Sequence, residues 1–146
     1  MSGTLLGIAT RTKTREPMQR PARAAVSVEG GVEGDLRGKP GERQVVVLGR
    51  EGFEAACREL GATLDWTLRR ANLYVEGVAL RGAVGARLHV GGALLEITGE
   101  CEPCHVMDKQ HPGLREALGP EWRAGVTCRV VRGGEITLGD AVRLEH

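Results

Sequence analysis

The segment "CEPCHVMD", Cys101 to Asp108, holds the densest chemistry in this chain. Two cysteines enclose two residues, and a histidine follows at once. That spacing serves to attach a haem, hold a metal, cycle a disulfide or carry a sulfur. Attachment of a c-type haem belongs to exported chains, and "MSGTLLGIATRTK" lacks the long apolar run of a signal peptide. A structural zinc wants four ligands. Cys101, Cys104, His105 and His111 have the atoms for it, but no second CxxC accompanies the first. A thioredoxin-like dithiol opens a helix in a βαβ setting. Here Pro112-Gly113 follows within a few residues, and the flanking runs are rich in β-formers. The reading that remains is a reactive thiolate, assisted or protected by its neighbour. Both cysteines come just after the strand-like run "ALLEIT", among polar residues and Pro103. A thiol on such a loop is expected to be exposed enough to react.

The other two cysteines read differently. Cys57 falls on the apolar stripe Phe53, Ala56, Cys57, Leu60 of "REGFEAACREL", which has helical spacing and ends at Gly61. Cys128 lies in "VTCRVV", in phase with Val126 and Val130. Both are expected in the core, where cysteine behaves as a small hydrophobe.

The elements that must position the reactive pair are mostly strands. "LLGIAT", "AAVSV", "QVVVL", "ANLYVEG", "ARLHV", "ALLEIT", "VTCRVV" and "EITL" are short β-rich runs separated by glycines. Gly91-Gly92 and Gly133-Gly134 both read as hairpin turns. A second, shorter helix is expected in "GLREALG". Many strands with one or two short helices indicate a mainly β protein, a closed or nearly closed β-barrel. The polar connector "EGGVEGDLRGKPGERQ" is long for a turn. It reads either as a solvated loop or as a functional one.

Bulk properties narrow the function. With 146 residues the chain fits one domain, expected over 1–143. The closing "LEH" at 144–146 resembles the remnant of a histidine tag. A net charge of +1 gives no global field for nucleic acid or an anionic membrane, and 3% aromatics argue against base stacking. No run reaches the length of a membrane span. The expected compartment is the cytoplasm, where thiols stay reduced.

The order of four segments adds a resemblance. "GVEGDLRGKPGERQVVVL", "RRANLYVEGVAL", "VGARLHVGGALLEITGECEPC" and "GVTCRVVRGGEITLGDAV" together resemble the MOSC domain, named for the C-terminal domain of molybdenum cofactor sulfurase. The resemblance runs from about Gly7 to Val142. It implies a barrel like the barrel domain of pyruvate kinase and one key cysteine, matched by Cys104. In one branch that cysteine accepts persulfide sulfur from a pyridoxal-phosphate-dependent cysteine desulfurase, which would be a partner protein. In another, similar to the mitochondrial amidoxime reducing component, it binds molybdenum of the molybdenum-molybdopterin cofactor. That branch reduces N-hydroxylated compounds with electrons from a donor protein.

The second branch implies further residues. Arg70 and Asn72 match its Arg-x-Asn, Lys13-Thr14 resembles its Lys-Ser, and Arg37 or Arg43 matches an arginine after the glycine-rich loop. Two departures stand beside this: a counterpart of that branch's additional N-terminal domain is not expected here, and Glu102-Pro103 precede Cys104.

Persulfide transfer and metal ligation both need a thiolate, and nearby cations promote it. Arg70 and Lys13, with His105, are the expected cations. Molybdenum favours soft thiolates, and guanidinium forks suit the pterin phosphate. Arg69 reads equally well as a solvated residue at a strand start. Cys101 is either a resolving thiol for Cys104 or a bystander. Asp108 either accepts from a pterin amino group or caps the loop before the short helix.

Overall fold

The computed structural model describes residues 2–13 and 16–146. Seven strands form a closed barrel: β1 (Ser2–Ile8), β4 (Val45–Gly49), β5 (Leu73–Glu76), β6 (Arg87–Val90), β7 (Ala93–Glu100), β8 (Val126–Arg132) and β10 (Ala141–Glu145). Their order is β1-β10-β6-β7-β8-β4-β5, and β5 pairs back onto β1. Every barrel pairing is antiparallel except β4 with β5. A parallel pair needs a crossover. Helix α1 (Arg50–Leu60) supplies it, ending on Gly61 in the left-handed conformation. A smaller sheet, β3 (Gly31–Val32), β2 (Arg23–Ser27) and β9 (Gly134–Thr137), stands beside the barrel. Helices α2 (Val106–Gln110) and α3 (Leu114–Leu118) join α1 outside it.

The run "VVVL" of β4 explains how two layers share one wall. Val45 and Val47 point into the barrel core with Leu5, Leu73, Leu95 and Cys128. Val46 and Leu48 point outward, under the helices, with Phe53, Cys57, Cys101 and Leu118. A strand covered on both faces loses the usual polar alternation. The barrel interior is filled by aliphatic side chains, so it is a core and not a ligand cavity. Any site must lie outside it, among the helices and loops. Cys57 and Cys128 are both buried, as their patterns predict.

Gly91-Gly92 does join β6 to β7 in a tight hairpin, with Val90 opposite Ala93. Gly133-Gly134 does not form one. After β8 the chain leaves the barrel, and β9 pairs with β2. The glycines there permit close approach: a Cβ at Gly134 would lie 2.1 Å from Gly92 O, and one at Gly133 2.4 Å from Val26 O. Leu144 and Glu145 belong to β10 and pair with Leu88 and Arg87 of β6, so they help close the barrel.

Candidate functional site

Four chain segments converge on one cavity of about 530 Å3 beside α2. They are the residues after β1, the glycine-rich connector, the turn before β5 and the stretch after β7. Its walls carry Arg11, Arg37, Arg43, Arg69, Arg70 and Lys109, with Cys101, Cys104 and Glu102. Six cations against one carboxylate make a strongly positive pocket on a chain whose net charge is only +1.

The connector is not a loose loop. Asp35, from its "GDLRG", accepts from Arg11 N at 3.2 Å and from Arg37 N at 3.2 Å. Leu36 N also donates to Arg11 O at 2.8 Å. One carboxylate thus ties Arg11 to Arg37 through their backbones. Buried Gln44 fixes the far end, donating to Val28 O and Gly38 O and accepting from Val130 N of β8. The functional reading of this connector therefore has a physical basis in two residues that anchor it.

The second arm is a 3-10 turn, Trp66–Arg69. Asp65 caps it, accepting from Thr67 N at 2.9 Å, and pairs with Arg20. Burial raises the Asp65 carboxyl pKa, but hydrogen bonds from Thr67 and from Arg20 outweigh it and leave it below its ordinary value. Trp66 stacks on Tyr74 with ring centroids 4.9 Å apart. The indole also lies over Gly7, where an added Cβ would sit 2.5 Å from the ring. Arg70 then adopts φ +62°, which L-residues avoid and which costs on the order of 1–2 kcal/mol. That kink lets two adjacent arginines line the same cavity. Arg70 Nη1 donates to Glu16 O at 2.8 Å. Arg69 is buried; its Nε donates to Ala124 O at 2.9 Å and its Nη2 to Cys101 Sγ.

The two cysteines separate cleanly. Cys104 is exposed. Cys101, expected to be exposed with it, is buried at 3% exposure because its strand end packs under α2. Burial pushes the Cys128 thiol pKa up, and Cys101 adds to that effect from the neighbouring strand. Arg11 is buried too; burial first, then the like charges of Arg70 and Arg37, lower its pKa, with Asp35 opposing. Cations that repel one another in a concave site are the electrostatic mark of an anion-binding pocket.

Arg37, Arg43 and Arg70 reach the cavity; other expected residues have different places. Asn72 is buried with its side chain between two strands: its Oδ1 accepts from Val46 N at 2.9 Å and its Nδ2 donates to Ala9 O at 3.3 Å. It is a strut of the barrel wall and does not face the cavity. Lys13 is exposed and outside the cavity lining, and Thr14 lies outside the described residues. Asp108 accepts from Arg115 N at 3.1 Å, so it caps α3. Among the described residues, no three His, Cys, Asp or Glu side chains converge as a metal-ligand group. Arg11 and Lys109 carry no local signal that they line this cavity, whereas Asp35 stands in the "GDLRG" segment on which the resemblance rests. Arg69 differs: the pair Arg69-Arg70 was visible, but only the left-handed kink decides that both face inward.

The comparisons agree with this architecture. YuaD from Bacillus subtilis is similar over 100% of this chain and 97% of its own, at 20% identity and a TM-score of 0.82. YiiM from Geobacillus stearothermophilus is similar over 99% of this chain and 75% of its own, at 20% identity and a TM-score of 0.78. YiiM from Escherichia coli covers 98% and 70%, at 16% identity and a TM-score of 0.70. At these identities the likeness shows the fold. No curated protein matches the chain at a significant level. No helix among the described residues is long and apolar enough to cross a membrane. The MOSC domain family matches residues 24–143, which is most of the chain and includes the connector, both arginines of the turn and both cysteines of the cavity. With its barrel and its cysteine-bearing pocket, the chain belongs to the MOSC domain family.

Proposed function

We propose that the cavity binds the phosphate-bearing pterin of the molybdenum cofactor, with Cys104 as the thiol offered to the metal. The observation that carries this reading is the presence of one exposed cysteine and six cations in a single cavity. The donor set fits the group. A thiolate is the soft ligand molybdenum favours, and arginine forks match a phosphate. Arg37, Arg43 and Arg70 would hold the phosphate, joined by Arg11, whose like-charge neighbours an anion would relieve. When bound, the cofactor supplies two-electron redox chemistry, such as reduction of N-hydroxylated compounds with electrons from a donor protein. The protein's own part is to orient the anion and present the sulfur.

The test is purification from a host that makes the cofactor, followed by anaerobic metal and pterin analysis. Wild type should carry both, Cys104→Ser should keep pterin and lose molybdenum, and Arg70→Ala should lose both. Wild type without metal or pterin, even after reconstitution, refutes the reading.

A second reading is a sulfur carrier served by a separate cysteine desulfurase. The second thiol, Cys101, held by a buried cation in the same cavity, favours it. Incubation with a desulfurase and cysteine should deliver one sulfur to wild type, read as retained mass or as released hydrosulfide, and none to Cys104→Ser. An equal response in both refutes it.

A further inference from the structure

The sulfur-carrier reading leaves unexplained why a second thiol sits inside the wall of the cavity with its own cation. Cys101 and Cys104 line the same cavity, with two residues between them in sequence, but only Cys104 is open to a donor protein. Cys101 is closed off by Met107 and the helix layer. Arg69, which donates to its sulfur, is unusual in turn. A guanidinium stays protonated in proteins, so burying one calls for a compensating partner. Among the described residues no carboxylate pairs with Arg69, and its acceptors are Ala124 O and Cys101 Sγ. A cation that donates to a sulfur stabilises negative charge there, which is what a nucleophilic sulfur needs.

Resting on the carrier reading, we infer that Cys101 is the nucleophile that discharges a sulfur held on Cys104, so that the chain releases hydrosulfide inside its own cavity. The cycle balances. A donor persulfide, R–S–SH, and the Cys104 thiol exchange to give Cys104–S–SH and R–SH. The Cys101 thiolate then attacks the Cys104 Sγ and forms a Cys101–Cys104 disulfide. The bond between that Sγ and the outer sulfur breaks, and hydrosulfide leaves with the bonding electron pair and the persulfide proton. An external dithiol reduces the disulfide, becoming oxidised itself, and restores both cysteines. Burial gives the order: donors reach Cys104 alone, and Cys101 meets only sulfur already delivered into the cavity the two share. The departing anion enters a cavity lined by arginines, which favours its release inward. Arg69 is a positioning residue, acting through Cys101.

Reduced protein is treated anaerobically with cysteine persulfide, and intact mass and free hydrosulfide are followed together. Wild type should end as the disulfide, having released one hydrosulfide per chain. Cys101→Ser should retain the extra sulfur on Cys104 and release little. Cys104→Ser should neither gain sulfur nor release it. Arg69→Met should load Cys104 as wild type does and discharge it roughly tenfold more slowly or worse, the scale of one lost charge-assisted hydrogen bond. Should Arg69→Met not fold, Arg69→Lys keeps the charge without the fork and should also slow discharge with loading unchanged. A wild type that loads and then holds its persulfide overturns the discharge step while the carrier reading stands. A wild type and a Cys101→Ser that both fail to load overturn the carrier reading and this inference with it. Discharge at the wild-type rate in a folded Arg69 variant overturns the part given to Arg69.

Discussion

Replacing Asn72 by leucine separates a strut from a ligand. In the resemblance-based reading Asn72 touches a pterin; in the structure its amide bridges β4 and the end of β1, just ahead of β5. Its own backbone continues the same seam, with Asn72 N donating to Val46 O at 2.9 Å and Ala9 N to Asn72 O at 2.7 Å. Asn72→Leu keeps the number of side-chain heavy atoms and the branch at Cγ and removes both side-chain hydrogen bonds. It leaves the Val46 N–H and the Ala9 carbonyl facing apolar atoms. Each buried group left unpaired costs about 1–3 kcal/mol, so the pair amounts to about 2–6 kcal/mol. Against a typical stability of about 5–15 kcal/mol this is a large fraction. At roughly 2–4 °C per kcal/mol for a chain of this size, the melting temperature should fall by about 4–24 °C. The assay is thermal or urea unfolding by circular dichroism. It is paired with titration of inorganic phosphate into the folded variant at a temperature well below its melt, where binding should match wild type. A loss below about 1 kcal/mol together with abolished phosphate binding would refute the strut and restore the ligand.

Further expectations follow from the cavity and its supports. Arg11→Gln removes a charge that the folded state disfavours, since burial and then Arg70 and Arg37 lower its pKa; its melting temperature should hold or rise while phosphate binding weakens roughly tenfold in calorimetry. Asp65→Ala deletes the cap of the turn that carries Arg69 and should cost about 1 kcal/mol in urea unfolding. Because the folded Asp65 pKa lies below 3.8, its stabilisation is complete above that pH and is lost as pH falls through the depressed value, which a melting series in acid should show. The chain has one tyrosine, so tyrosinate absorbance reads Tyr74 alone. Burial first, then Glu54, raises its pKa to about 12. Stability from this group is intact below pH 10 and lost as pH rises toward 12, and an absorbance midpoint near 10 in the folded protein would refute the burial argument.

Much of the barrel was legible in the sequence because its causes are local. Apolar runs broken by glycine, the stripe from Phe53 to Leu60 and the Gly91-Gly92 turn each record burial or backbone demand within a few residues. The core places of Cys57 and Cys128 followed from the same periodicity. Where the sequence misled, the deciding partner was distant. Gly133 and Gly134 looked like a turn, but their lack of side chains serves the close passage of β2 and the β6–β7 hairpin.

The sequence by itself determined the β-rich barrel and the cysteine motif after β7, and its expectation that both cysteines there are exposed holds for Cys104 only. Arg37, Arg43 and Arg70 were expected near that cysteine from the resemblance; tertiary structure alone added Arg11, Arg69 and Lys109 and set Cys101 in the wall. These three come from separate segments, and each looks like a solvated charge in its own neighbourhood. Their convergence depends on Asp35 tying two loops, on Trp66 seated over Gly7, and on one left-handed residue at position 70. Periodicity registers which face of a single element is buried. It holds no record of which distant loops meet, and electrostatic sites are built by such meetings.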